Sequence, residues 1–264
     1  MFSTEFLHIE RNYEIDVIAK HFRDGASILE IGGGTGYQAE LLSQRGFDVS
    51  SIDVATSHYK VDRVFPVAEY DGRVFPFADH TFDIVFSSNA LEHILDLGQI
   101  HRESRRVLKP GGYCVHVMPT GVWRFWSNVA NYADLLQRWR MLAPGLIPRS
   151  VSVHELVRIA GVVWSIVRTT GGHAIPPRHG EFGNALTEIW TFSRRRWVKH
   201  FREHGMEVLN ADPMGLFYTG YMILGKRWSI ESRRSISSLL GSASVVYEVR
   251  FNEILGESRN PVGR

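Results

Sequence analysis

Gly32-Gly33-Gly34-Thr35-Gly36 stands where a short apolar run hands over to a helix-forming stretch, and no other feature constrains this chain as strongly. Ser27-Ile28-Leu29-Glu30-Ile31 reads as a buried strand, and the residues through Leu41 and Leu42 read as a helix. Four glycines in five positions let the backbone bend sharply and let a ligand approach peptide groups without obstruction. A dinucleotide site wants G-x-G-x-x-G. Counted from Gly32 and Gly34, the third glycine position falls on Tyr37, so the spacing is G-x-G-x-G instead. Glu30 precedes the run and Asp53 closes the next strand, a second carboxylate at ribose-hydroxyl distance, and no arginine pair is offered to a pyrophosphate.

The rest of the first 120 residues alternates. A helix is predicted over residues 5–24, and strands over 47–52 and 82–86, with a weaker strand over 63–67. Residues 90–108 read as helix broken near Asp96, stopped by Pro110-Gly111-Gly112, and residues 113–117 read as another strand. Strands alternating with helices imply a parallel sheet covered on both faces, an open α/β fold. After Pro119 the pattern changes to Trp123, Phe125, Trp126, Tyr132 and Trp139 among arginines, so residues 120–190 read as an insertion or lid. The alternation resumes with a helix over 193–204 and strands over 206–210 and 216–224; residues 229–264 read as terminal helices or a tail. The domain is accordingly expected to span residues 1–228, opening with an N-terminal helix over 1–25.

Charge separates the two halves. Residues 1–120 carry 11 basic and 17 acidic side chains, and residues 121–264 carry 19 and 11, within a formal net charge of +2. That balance argues against a general nucleic-acid binder. The single cysteine, Cys114, excludes an internal disulfide and a cysteine-rich zinc site, and points to a reducing, cytoplasmic setting. The N-terminus has a helical apolar period with acids in place of a signal peptide, and Val151–Val167 is broken by His154, Glu155 and Arg158 before it could span a bilayer. As a basic amphipathic helix, Val151–Arg168 could instead lie on anionic lipid.

Five elements in order make the chain resemble the class I S-adenosylmethionine-dependent methyltransferases, of the small-molecule type: LEIGGGTG at 29–36, Asp53 closing VSSID, Asp71 in YDGRVFPF, FDIVFSSNALEH at 82–93, and LKPGG at 108–112. The resemblance implies a Rossmann-like, doubly wound α/β fold whose mostly parallel sheet has seven strands and helices on both faces. It implies S-adenosylmethionine as cofactor and S-adenosylhomocysteine as product. Glu30 and the backbone of Gly32, Gly33, Gly34 and Gly36 would hold the methionine end. Asp53 would bridge the ribose hydroxyls, and Asp71 with Gly72 would face adenine, with Phe75 or Val74 near the ring. Ser88 and Asn89 would end the strand where substrate meets the methyl group.

His93 follows Asn89 by one helical turn and is a candidate base, with packing and capping as its alternative. His179 and Glu181, in PPRHGEFGN, are candidates for substrate contact or a solvated loop. His200 and His204 have the i, i+4 spacing of a metal pair, but no third ligand is signalled, so no metal site is expected. Gly220–Lys226 matches G-x-x-x-x-G-K, but Arg227 replaces the magnesium-binding hydroxyl and the match is rejected as a phosphate loop. Arg194-Arg195-Arg196 reads as a solvated face or an anion grip.

Methyl transfer to a small molecule, lipid or glycan is the reading this supports. Amino methylation of nucleic acid is disfavoured because Ser87-Ser88-Asn89-Ala90 replaces an Asn/Asp-Pro-Pro-aromatic motif, and cytosine-carbon methylation because Cys114 lies within a strand. A nicotinamide-dependent oxidoreductase on the same sheet, or a non-catalytic cofactor-binding protein, are the competing readings. Oligomeric state is not legible.

Overall fold

The computed structural model describes residues 4–148, 150, 152–218 and 227–252. Seven strands form one sheet: β1 (Ser27–Ile31), β2 (Asp48–Val54), β3 (Val67–Tyr70), β4 (Phe82–Ser88), β5 (Leu108–Pro119), β6 (Met206–Pro213) and β7 (Ser244–Phe251). Their spatial order is β3-β2-β1-β4-β5-β7-β6. The pairs among β1 to β5 are parallel, and β7 runs antiparallel to both β5 and β6. Strand order reverses at β1 and β4, and the C-terminal ends of these strands open the crevice in which such sheets bind ligands.

Side chains of period two sort the strands between two cores. Ile28, Ile84, Phe86, Tyr113, Val115 and Val117 face α1 (Thr4–Ile18) and α2 (Tyr37–Gln44), where Ile15, Ile18, Leu41 and Leu42 meet them. Leu29, Ile31, Val85, Cys114 and Met118 face α3 (Leu97–Val107) and α7 (Arg194–Glu203), packed on Ile100, Val107, Trp197 and Phe201. Asp96 caps α3 by accepting from the Gln99 amide at 2.9 Å, which explains the break the sequence signals there.

Between β5 and β6 lie α4 (Gly121–Leu142), α5 (Val153–His173) and the short α6 (Thr187–Thr191). Thr120 caps α4 and Ser152 caps α5, each hydroxyl accepting an amide of the first turn. The two long helices pair as an antiparallel hairpin: Asn131 donates to the His173 carbonyl at 2.9 Å, and Trp139 Nε1 to Thr170 Oγ1 at 3.1 Å.

Two expectations are corrected. Residues 229–264 are not all helix or tail: α8 (Ile230–Leu240) is followed by β7, a strand inserted between β5 and β6, so the sheet does not end at residue 228. The strand expected over 216–224 is absent from its described part; Leu216, Phe217 and Tyr218 are buried outside any strand, and residues 219–226, including the whole of the rejected phosphate-loop match, lie outside the described residues. Ser244-Val245-Val246-Tyr247 wins the central place because it is apolar on both faces, as a strand with neighbours on each side requires. The weaker strand expected over 63–67 forms instead at Val67–Tyr70.

Candidate functional site

The glycine loop leaves β1 at the centre of the sheet. Gly32, Gly34 and Gly36 have φ of 75°, 55° and 77°, a region costly for residues with a Cβ. A Cβ at Gly36 would stand 2.7 Å from Phe65 Cβ, and one at Gly33 would collide with the Ser51 hydroxyl. The loop amides are already engaged: Gly32 and Gly33 donate to the Ile52 carbonyl at 2.9 and 3.0 Å, Gly34 to Asp53 Oδ2 at 3.1 Å, and Gly36 to the Gly33 carbonyl at 2.7 Å. The expected role of these groups shifts accordingly. The loop offers a ligand a closely approachable backbone with carbonyl lone pairs, which suit an ammonium donor better than an anion.

Glu30 lies beneath the loop, 2% exposed, accepting from Ser51 Oγ at 2.6 Å. Burial pushes its carboxyl up to about 7, against the hydrogen bond from Ser51 and the charge of Arg11. Asp53 is buried at the end of β2, and its two oxygens accept the Gly34 and Val54 amides at 3.1 and 2.8 Å. A carboxylate has about four acceptor positions, so hydroxyl donors can still be met. Asp71 is exposed beyond β3 and accepts the Arg73 and Val74 amides at 2.8 and 2.9 Å, which hold its carboxyl below the ordinary range. Gly72, at φ 78°, makes the turn possible. Phe75 cannot flank a ligand ring: it is 1% exposed, edge-on to Tyr70, and its amide donates to Glu103. Val74 is the exposed neighbour. Sequence reasoning passed over Tyr59, an exposed ring whose Cδ2 lies 3.6 Å from where a Gly34 Cβ would stand.

At the end of β4, Ser88 Oγ accepts from Gln38 Nε2 and Asn89 Nδ2, each at 3.3 Å. Asn89 holds φ of 50°, a conformation asparagine tolerates better than most residues. A 3₁₀ turn over Leu91–His93 then presents Glu92 and His93. His179, 86 residues later, comes to the same place. The His93 and His179 rings are 4.9 Å apart, and Glu92 Oε1 lies 3.9 Å from His93 Nε2 and 3.8 Å from His179 Nε2. The Glu92 side chain is fully buried, and no described residue hydrogen-bonds either of its oxygens. Trp123 packs edge-on against His179, with centroids 4.6 Å apart.

A buried ion pair holds His179 there. Glu188 Oε1 accepts the amides of His179 and Gly180, both at 2.8 Å, while Oε2 faces Arg124 Nε at 2.8 Å; neither side chain is more than 5% exposed. Glu181 donates its amide to the Glu92 carbonyl at 3.0 Å and its carboxylate lies 3.6 Å from Arg178. Neither Arg124 nor Glu188 carries a sequence signal, because their partnership exists only after α4 and α6 pack.

On the other side of Glu92, a cavity of about 500 Å³ runs past Leu97 and Phe192 to His200 and His204. His101, from α3, brings its Nε2 to 3.0 Å from His200 Nε2. Burial holds His101 and His200 well below the ordinary imidazole range, to about 2 and about 4, and holds His116 at about 3, so all three are uncharged near neutral pH. The third histidine that the sequence did not signal is therefore present. Arg194, Arg195 and Arg196 open α7, and Arg196 lines the cavity.

A family model described as a methyltransferase domain matches residues 29–116. An uncharacterized methyltransferase of Mycobacterium sp. (strain KMS) is 32% identical over 98 residues, covering 34% of this chain and 38% of that protein. A demethylmenaquinone methyltransferase of Corynebacterium urealyticum is 36% identical over 90 residues, covering 33% of this chain and 39% of that one. The chain thus spans under two fifths of the length of these relatives. In fold, it is similar to a chain in the complex between the Haloferax volcanii Trm112 methyltransferase activator and a methyltransferase, with a TM-score of 0.52 at 15% identity over 94% of this chain and 93% of that one. The glycine loop, the strand order with its antiparallel β7 and the matched segment agree: over residues 29–116 the chain is similar to the methyltransferase domain family.

Proposed function

We propose that the protein methylates a small apolar or lipid-like acceptor, using S-adenosylmethionine held over the glycine loop. One observation carries this reading. The cradle of Glu30, Gly32–Gly36 and Asp53 opens at the same C-terminal edge of the sheet as Ser88, Asn89 and the Glu92–His93–His179 cluster. The residues fit the cofactor: buried Glu30 and the loop carbonyls suit its amino-acid ammonium, and Asp53 retains acceptor positions for ribose hydroxyls. When bound, S-adenosylmethionine supplies a methyl group on a sulfonium that already carries its leaving group.

The work left to the chain is alignment, exclusion of water and handling of one proton. A hydroxyl acceptor gives its proton to the ring nitrogen of His93 or His179, and the Glu92 carboxylate within 4 Å pairs with the charge that results. Trp123 and Phe192 border His179 and give the acceptor side an apolar wall.

The acceptor class rests on the helical hairpin. Leu156, Val157, Val163, Trp164 and Val167 of α5 are exposed, as are Leu136, Trp139 and Met141 of α4, with Arg140 and Arg168 exposed among them. Apolar surface beside arginines is what an interfacial helix presents to anionic lipid. Among the described residues no helix is long and apolar enough to cross a membrane, so contact would be peripheral. The similarity to a demethylmenaquinone methyltransferase supports the same acceptor chemistry.

The test is transfer of labelled methyl to a panel of prenylated phenols, fatty acids and sugars by the wild type, His93→Ala and His179→Ala. The expected result is turnover on the apolar members, lowered about 10²-fold or more in a variant lacking the base, with unchanged affinity for the cofactor. Turnover on sugars alone would remove the acceptor assignment, and full activity in both variants would remove the base.

A further inference from the structure

We propose that His101, His200 and His204 form a binding site for one divalent transition metal ion of the zinc type, on the face of the sheet covered by α3 and α7. One ring nitrogen from each residue lies within 4.8 Å of those of the other two. His101 Nε2 and His200 Nε2 are 3.0 Å apart. A tetrahedral zinc ion with bonds of about 2.0–2.1 Å holds two ligand nitrogens about 3.3 Å apart, so this pair need open by only a few tenths of an ångström, and His204 closes in from within 4.8 Å.

The supporting contacts point the same way. His204 Nδ1 lies 2.8 Å from the His200 carbonyl. A carbonyl only accepts, so Nδ1 carries the proton and Nε2 presents its lone pair, the arrangement by which a backbone carbonyl orients a metal-bound histidine. His200 stands in the last turn of α7, His204 caps its C-terminus four residues on, and His101 approaches from α3, so the set is held by two helices packed on the sheet. No carboxylate among the described residues forms an ion pair with any of the three. Three imidazoles without a carboxylate favour zinc and its neighbours over magnesium or calcium. Three protein ligands also leave a fourth position. It faces the cavity of about 500 Å³ that Arg196 lines and that reaches Glu92 and Gly180, so water or a small anion could complete the site there.

The inference is independent of methyl transfer and is tested without it. The full chain, prepared without a histidine tag and stripped with a chelator, is titrated with Co²⁺ alone, following ligand-field absorption, and with Zn²⁺ alone, following retained metal by elemental analysis. The expected result is one equivalent of either ion, with tetrahedral bands for Co²⁺. Binding should weaken more than about 100-fold in His200→Ala and His204→Ala, since even a supporting partner costs up to about that much. It should be unchanged in His93→Ala, which lies in the other cluster. His204 is exposed, so its removal leaves the fold intact, as a matching thermal transition would verify. Absence of retained metal in the wild type, equal binding by His204→Ala, or loss of binding in His93→Ala would each overturn the assignment.

Discussion

The sheet and the helical hairpin inserted between β5 and β6 bury their side chains to very different extents. β4 buries Phe82, Ile84, Val85, Phe86 and Ser87, whereas α5, with 21 residues, buries only Glu155. The strands are held by apolar packing on two faces, and the insertion is held by a small apolar cluster around Ala130, Phe217 and Tyr218 and by a few polar ties: Arg124 with Glu188, Asn131 with the His173 carbonyl, Asp134 with His173. Packing of the first kind fixes positions to fractions of an ångström. Ties of the second kind fix a few points and leave apolar surface open. In the proposed function the cofactor lies against the first region and the apolar acceptor against the second.

The sharpest way to break this division is Glu188→Ala. It strands Arg124 as a buried charge and leaves the His179 and Gly180 amides without their acceptor. The expected loss is about 3–5 kcal/mol, measured by urea denaturation. Transfer activity should fall with it, and affinity for S-adenosylhomocysteine should persist wherever the sheet stays folded. Parallel loss of both would mean that the two regions are one.

Next in size is a pH effect, to which Glu30 contributes on the cradle side. Glu10 and Glu30 are held at about 8 and about 7 by burial, above their ordinary value of 4.5. Between these values the folded chain binds more protons than the unfolded one, so each group withdraws stability as pH rises through its window. Buried His101, His116 and His200 act oppositely, below pH 6.5. Glu30→Gln isolates the first effect: relative to wild type it should gain up to about 3 kcal/mol at pH 8 and little at pH 5. Equal gains at both pH values would show that Glu30 is not desolvated.

Asp53→Ala should weaken cofactor binding by about 1.5–3 kcal/mol for each charged hydrogen bond lost, read by calorimetry. The smallest stability effect belongs to the hairpin. Trp164→Ser, at a side chain 68% exposed, should change stability by no more than about 0.5 kcal/mol. It should nevertheless reduce co-sedimentation with anionic vesicles. Vesicle binding indifferent to this substitution would remove the lipid contact.

The legibility of the chain follows the same division. β1, the glycine loop, α2 and Asp53 lie within 27 residues, and their logic is local: a buried strand, a turn that only glycine permits, and a carboxylate at the next strand end. His93 and His179 were each legible as candidates, but their meeting over Glu92 was not, since 86 residues and three α-helices separate them. His101 carried no signal beside the His200 and His204 pair for the same reason. The seventh strand was misplaced because two apolar segments compete for one gap in the sheet, and pairing with β5 and β6 decides between them. Phe75 was misread because an aromatic ring beside a loop carboxylate looks the same in sequence whether it faces a ligand or the core.

Titration of the purified chain with S-adenosylhomocysteine in a calorimeter bears most directly on the cradle of Glu30, Gly32–Gly36 and Asp53. A saturable one-to-one isotherm, weakened about 10-fold or more in Asp53→Ala, is the predicted result. No heat of binding and no rise in melting temperature at saturating ligand would contradict it.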